Sequence, residues 1–183
     1  LGMEKITQLM QTYRNVEVPV IAAVSGPAAG IGCSLALMAD YVLMSEKSYL
    51  MLAFTRIGLM PDGGATALVA ASAGRHRALR MALTAEKLPA TSAFEWGLAS
   101  EVVAPDLLDT RAGEVAATFA KSATVALGRT KRAINDATLT ELDAALGREA
   151  EGQDALRTTE DYAEGVAAFL EKRPAVFKGV NRA

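Results

Sequence analysis

The chain has 183 residues with 19 basic and 21 acidic side chains, a formal charge of −2. That balance lacks the basic excess typical of nucleic-acid and membrane-surface binders, so neither partner is expected. The length suits one domain with a real core, and a composition 51% hydrophobic but only 5% aromatic points to tight packing of small side chains.

Ile6, Leu9, Met10 and Tyr13 recur at helical spacing and predict a helix over Met3–Tyr13, entered without a capping residue. Pro19 precedes Val20-Ile21-Ala22-Ala23-Val24, a run without alternation that predicts a strand buried on both faces. Ser25-Gly26-Pro27 ends it. Residues 28–32 read as a small-residue turn, and a buried helix is expected from Cys33 to Met38. Strands follow at Tyr41–Met44 and near Tyr49–Leu52. Glu46 and Lys47 form an exposed turn between them.

Met60-Pro61-Asp62-Gly63-Gly64 is a tight turn leading into an Ala-rich helix, and Gly74 separates that helix from the next, which runs to Leu83. Thr91 or Ser92 is expected to cap a short helix through Trp96, before a terminal strand Glu101–Val103. From Asp106 the chain reads as helical. Leu108, Ala112, Val115, Ala116 and Phe119 form one stripe, and a further helix spans 123–136. Thr140 with Asp143 suggests a capping box, and a last helix ends near Lys172. Met3, Met10, Met38 and Met81 fall at core positions.

The single Cys33 excludes a disulfide within the chain and fits a cytoplasmic location; its apolar setting predicts a small buried residue. No apolar run reaches the roughly 18–20 residues of a membrane helix. A lone His76 cannot build a metal site, so no metal is expected. From Gly26 to Asp40 a strand feeds a Gly-rich turn and a helix start, where unpaired N–H groups and the helix dipole favour negative charge. An oxyanion hole, an anion site and a bare structural turn all fit. The glycine spacing is not that of a dinucleotide fingerprint.

The run Pro19 to Gly32, followed by Leu35-Ala36-Leu37 and Asp40, resembles the central signature of the enoyl-CoA hydratase/isomerase (crotonase) family. Further segments resemble it in order: Ile57 to Gly64, Gly74-Arg75 with Leu83-Thr84-Ala85, Trp96-Gly97-Leu98-Ala99, Glu164-Gly165, and Phe169 to Pro174 with Phe177. The resemblance implies an α/β fold with a ββα superhelix core over residues 1–105 and a helical trimerisation region over 106–183. It also implies a strand-rich N-terminal part preceding the point of Leu1, which this sequence lacks. Upstream residues, or another subunit, would then flank strand Val20–Val24.

For function, the resemblance implies an acyl-CoA thioester substrate, with coenzyme A as part of the substrate and no separate cofactor, and assembly as a homotrimer or hexamer. Family members stabilise a thioester enolate with two backbone N–H groups, worth roughly 3–4 kcal/mol each. Ile31 occupies one donor position, and the other donor would come from the upstream part. Ala29, Gly30, Phe54 and Pro61 fall at substrate-binding positions. Phe169 and Lys172 match residues that contact the adenine and phosphates of coenzyme A at a subunit boundary.

The departures bear on the reaction. Hydratases of the family use two glutamates, whose positions here hold Ser34 and Phe54, and neither can activate water as a carboxylate does. Asp62 matches the acid of isomerase branches, and the wider pattern is closest to the ring-epoxyphenylacetyl-CoA isomerase branch. Two roles fit Asp62: proton shuttle, with apolar neighbours raising its pKa, or cap of the following helix. An isomerase acting through Asp62 is therefore expected. Alternatives are a hydratase-type lyase, an inactive acyl-CoA-binding relative, or a hydrolase using Ser34 with His76 as its base.

Overall fold

The computed structural model describes residues 2–180, and helix α1 (Met3–Arg14) opens it behind an uncapped Gly2. The chain then climbs a short spiral of paired strands. Strand β1 (Ile21–Val24) turns at Ser25-Gly26 into β2 (Pro27–Ala29), and α2 (Ile31–Met38) carries the chain back. The next coil repeats the pattern with β3 (Tyr41–Ser45), β4 (Tyr49–Met51), a 3-10 helix (Ala53–Ile57), α3 (Ala65–Ala73) and α4 (Arg75–Thr84). Then come β5 (Leu88–Pro89), α5 (Ala90–Glu95) and β6 (Glu101–Val103).

The strands form two three-stranded sheets, ordered β1-β3-β6 and β2-β4-β5. Ile21 pairs with Tyr41 and Pro27 with Tyr49, both in parallel, so one coil of the spiral lies directly on the next. The β4–β5 pair is antiparallel. Val24, Met44, Leu50, Leu52, Phe54, Val69 and Met81 fill the core inside the coils.

After a 3-10 turn (Pro105–Leu107), the described chain continues as α6 (Leu108–Lys121), α7 (Thr124–Thr138), α8 (Leu142–Leu156) and α9 (Glu160–Glu171). Helix α8 closes a second core in which Leu142 and Leu146 meet Met3, Ile6, Met10, Met38 and Leu68 from α1, α2 and α3. Helix α9 lies against the 3-10 helix. A Cβ at Gly165 would stand 2.6 Å from the backbone of Ile57, so only hydrogen fits there.

Several expectations from the sequence are corrected. Strand β1 is not buried on both faces: it pairs with β3 alone among the described residues, and Ala23 is exposed. Residues 28–32 are not simply a turn, because Pro27–Ala29 forms β2 by pairing with β4, and α2 begins at Ile31, not Cys33. Helix α5 starts after Pro89 without a side-chain cap, so neither Thr91 nor Ser92 caps it. The Thr140/Asp143 capping box does not form: Glu141 precedes α8 without a cap bond, and Asp143 instead pairs with Arg14 at 3.1 Å. Ala116 is exposed and leaves the α6 stripe, whereas Cys33 and all four named methionines are buried.

The α9 contact gives a stability test. Alanine favours helix over glycine by about 1 kcal/mol in an open position, yet Gly165→Ala forces its methyl into the Ile57 backbone. Overpacking costs typically 1–3 kcal/mol, so after the helix gain is subtracted urea denaturation is expected to show a net loss of up to about 2 kcal/mol.

Candidate functional site

The loop between the 3-10 helix and α3 is pressed onto the first turn of α2. Gly63 and Gly64 hold φ of 66° and 79°, in the left-handed region that favours glycine. A Cβ at Gly63 would come within 2.6 Å of Ile31 Cδ1 and 2.9 Å of Ser34 Cβ. Ser34 is fully buried, and its hydroxyl donates to the Asp62 backbone carbonyl at 2.7 Å. The Phe54 ring reaches the same place from the 3-10 helix, 3.9 Å from where a Gly30 Cβ would stand.

Helix α2 begins with no side-chain cap. Gly30 takes φ 57° and donates its N–H to Met51 at 3.0 Å, which ties the helix start to the end of β4. Ile31 is the first helical residue, so its N–H has no intrahelical acceptor. Ala29 lies beside it at the end of β2, and Pro61 is buried next to Asp62.

Asp62 is 5% exposed. Its Oδ2 accepts a hydrogen bond from Gln153 Nε2 at 3.0 Å, while the same nitrogen donates to the Met60 carbonyl at 2.6 Å. Asp62 Oδ1 and Gln153 Oε1 are buried without a hydrogen-bond partner. Burial raises the pKa of Asp62 to about 6; the nearby charge of Glu149 adds to the rise, while the Arg157 charge and the Gln153 hydrogen bond oppose it.

Glu149 answers the question of what caps α3. Its carboxylate accepts from Gly64 N at 2.6 Å, from Thr66 N at 2.9 Å and from the Thr66 hydroxyl at 2.6 Å. A buried anion on α8 thus satisfies the first N–H groups of α3 and faces the positive end of its dipole. Even so, burial raises the pKa of Glu149 above the usual carboxylate value. Asp62 therefore does not cap the helix with its side chain: Gly64 is the cap residue, and the Asp62 carboxylate is left to Gln153.

Gly30, Ile31, Ser34, Phe54 and Asp62 are thus brought together, with Ala29 and Pro61 beside them. Phe169 and Lys172 are not part of this buried cluster. Phe169 is 73% exposed on the last turn of α9, and Lys172 ends that helix in the left-handed region. The Ser34/His76 pairing is excluded, since His76 is exposed on α4 and the Ser34 hydroxyl is committed to a carbonyl. Cys33 is inert by the same criterion, its thiol pushed by burial up to about 12.

Glu149 and Gln153 were not singled out from the sequence. A signal existed: Leu142, Leu146, Glu149 and Gln153 follow the spacing of one helical stripe. Two polar residues continuing an apolar stripe mark a buried polar network, since a buried charge needs partners.

Residues 2–181 match the family model described as enoyl-CoA hydratase/isomerase. The chain is 40% identical over 171 residues to the 1,2-epoxyphenylacetyl-CoA isomerase of Escherichia coli K12, covering 93% of this chain and 65% of that protein. It is 37% identical to the 2,3-dehydroadipyl-CoA hydratase of the same organism, covering 94% and 68%. Its fold superposes on the crystal structure of an enoyl-CoA hydratase from Mycobacterium avium subsp. paratuberculosis K-10 with a TM-score of 0.94 at 49% identity, covering 96% and 72%. The chain spans about two thirds of the length of the curated relatives it matches.

Asp62 holds its proton more tightly folded than unfolded. Its carboxyl therefore supports the fold fully below about pH 4, and that support is lost as pH rises through about 6. Asp62→Asn keeps an oxygen for Gln153 and removes the buried charge. It is expected to raise stability at pH 8 by on the order of 3 kcal/mol and to flatten the change in stability between pH 4 and 6, read by denaturation across that range.

Proposed function

Because the chain belongs to the enoyl-CoA hydratase/isomerase family, we propose that it is an acyl-CoA isomerase in which Asp62 carries the proton. One observation carries this reading: on the loop packed against the first turn of α2 stands Asp62, buried and with its pKa near neutrality, while the two glutamate positions of hydratases hold Ser34 and Phe54. The thioester oxygen lies against the Ile31 N–H, where the helix start stabilises charge developing on it. Ala29, Gly30, Phe54 and Pro61 surround the acyl part.

With a pKa of about 6, Asp62 is ionised at neutral pH yet basic enough to accept a proton from carbon. It takes a proton from the alpha or gamma carbon of the enoyl thioester, the C–H electron pair delocalises toward the thioester oxygen to give an extended enolate, and the double bond moves as the same proton returns at the other carbon. No water enters the balance and no separate cofactor is invoked. Ser34 cannot activate water, since its hydroxyl already donates to the Asp62 carbonyl.

The second reading is a hydratase-type lyase, favoured by the 37% identity to a relative named as a hydratase. An inactive acyl-CoA-binding relative is the third. Parallel assays of the protein with 3-enoyl-CoA and 2-enoyl-CoA thioesters separate the three. Isomerisation is expected with negligible water addition, and Asp62→Asn is expected to lower its rate about 100-fold or more. In the wild type, kcat/KM is expected to rise with pH through about 6 as the base ionises. Brisk hydration of crotonyl-CoA, or an undiminished Asp62→Asn, refutes the isomerase reading.

The same reading includes a homotrimer or hexamer in the cytoplasm. Val115, Leu142 and Leu146 are buried within the chain's own core and offer no surface to a second copy. Support comes instead from Val125, Ile134, Phe169 and Leu170, all more than half exposed on α7 and α9. Phe169 and Lys172 then stand near a subunit boundary, in reach of a coenzyme A adenine and phosphates. Sedimentation is expected to give a closed oligomer; a monomer at micromolar concentration refutes the assembly, and unchanged coenzyme A affinity in Lys172→Ala refutes that contact.

A further inference from the structure

We propose that Gln153 is a positioning residue that fixes the Asp62 carboxylate so that one oxygen, Oδ1, serves as the proton-carrying atom. The inference rests on the reading of Asp62 as the base. It starts from the amide geometry: Gln153 Nε2 bridges the Met60 carbonyl at 2.6 Å and Asp62 Oδ2 at 3.0 Å.

The Met60 bond fixes which way the amide faces. Turning it over would set Gln153 Oε1 against the Met60 carbonyl, two acceptors face to face. Gln153 therefore presents a donor to Oδ2 and cannot accept a proton from it. A proton taken up by Asp62 goes to Oδ1, which is buried and has no partner of its own. The two oxygens of one carboxylate are thereby given different work by a fully buried neighbour.

The backbone carries a second, independent observation. Gly152 sits inside α8, where glycine costs about 1 kcal/mol against alanine. A Cβ at that position would run into the Met60 sulfur. The glycine leaves room for the Met60 side chain against α8, beside the residue, Gln153, that bonds both acceptors. Other groups act on Asp62 from α8 and α2. Glu149 raises its pKa and Arg157 lowers it through charge, and Ser34 bonds its backbone carbonyl. Gln153 Nε2 is the partner bonded to its carboxylate.

Replacing Gln153 with methionine keeps the volume and removes the donor. Freed to rotate, the carboxylate loses its aim, and misplacement on the scale of an ångström costs up to about 100-fold in rate. The expected result for Gln153→Met is a fall of about 10–100-fold in kcat with KM little changed. The acidic limb of the pH–kcat/KM profile is expected to move above about 6, since a bond favouring the ionised form is gone. Gln153→Glu keeps the length as well and sets a second acid beside the first; its limb is expected to move up further. A purely structural residue would lower activity without moving the limb. A limb that stays at its wild-type position in either folded variant overturns the proposal. Carbon-13 NMR titration of the Asp62 carboxyl reads the same shift without turnover. If Asp62→Asn keeps full activity, the base reading falls, and the titration still shows whether Gln153 holds that carboxylate.

Discussion

The buried carboxylate of Glu149 is the constraint around which the rest of the site is arranged. It brings a negative charge into a place that is 1% exposed, which is costly unless hydrogen bonds compensate. Three donors do so, all at the start of α3. The bridge settles the position of α8 relative to the loop before α3, and hence the seats of Asp62 and Gln153. It also frees Asp62 from capping duty, which local sequence alone would have assigned to it. The charge that organises the loop is the same charge that helps keep Asp62 protonated at mildly acid pH. One side chain thus both caps α3 and shifts the titration of Asp62.

Much of the spiral was readable from the residues. The β-branched and apolar runs at Val20–Val24, Tyr41–Met44 and Glu101–Val103 became strands to within a residue, because they pair with one another in one parallel ladder whose middle strand, β3, is largely buried. Strand β2 was unreadable for the opposite reason. Pro27-Ala28-Ala29 has no strand preference of its own, and its extended form comes from pairing with Tyr49–Met51 in the next coil. Capping residues were the least legible. Thr140 and Asp143 have the right chemistry, yet Arg14 recruits Asp143 from α1, and α3 is capped from a helix 83–85 residues away. Local patterns cannot show a partner supplied by another part of the chain.

The candidate site divides along the same line. Gly30 and Asp62 lie in glycine- and proline-marked turns visible in the sequence, whereas Ile31 and Phe54 were legible only through the family resemblance. Glu149 and Gln153 were not, because nothing around them in sequence announces a role. Their message lies in the break of an apolar stripe, two polar side chains where Leu142 and Leu146 set the rhythm. Phe169 was legible as a residue type but its surroundings were not: it is 73% exposed at the end of α9, outside the buried cluster.

The hydrogen bonds that complete the Asp62 environment span 85 to 93 residues of chain. During synthesis the coils of the spiral emerge first, at roughly 5–20 residues per second, and α8 follows only after several seconds. Until then the start of α3 has no anion and Asp62 has no neighbour to orient it. Long loops of this kind close late, because their entropy must be met before any contact repays it. The spiral can therefore be well formed on the ribosome while its carboxylate is still an ordinary, solvated aspartate. The buried, polar environment of Asp62 arrives last, with the docking of a single helix.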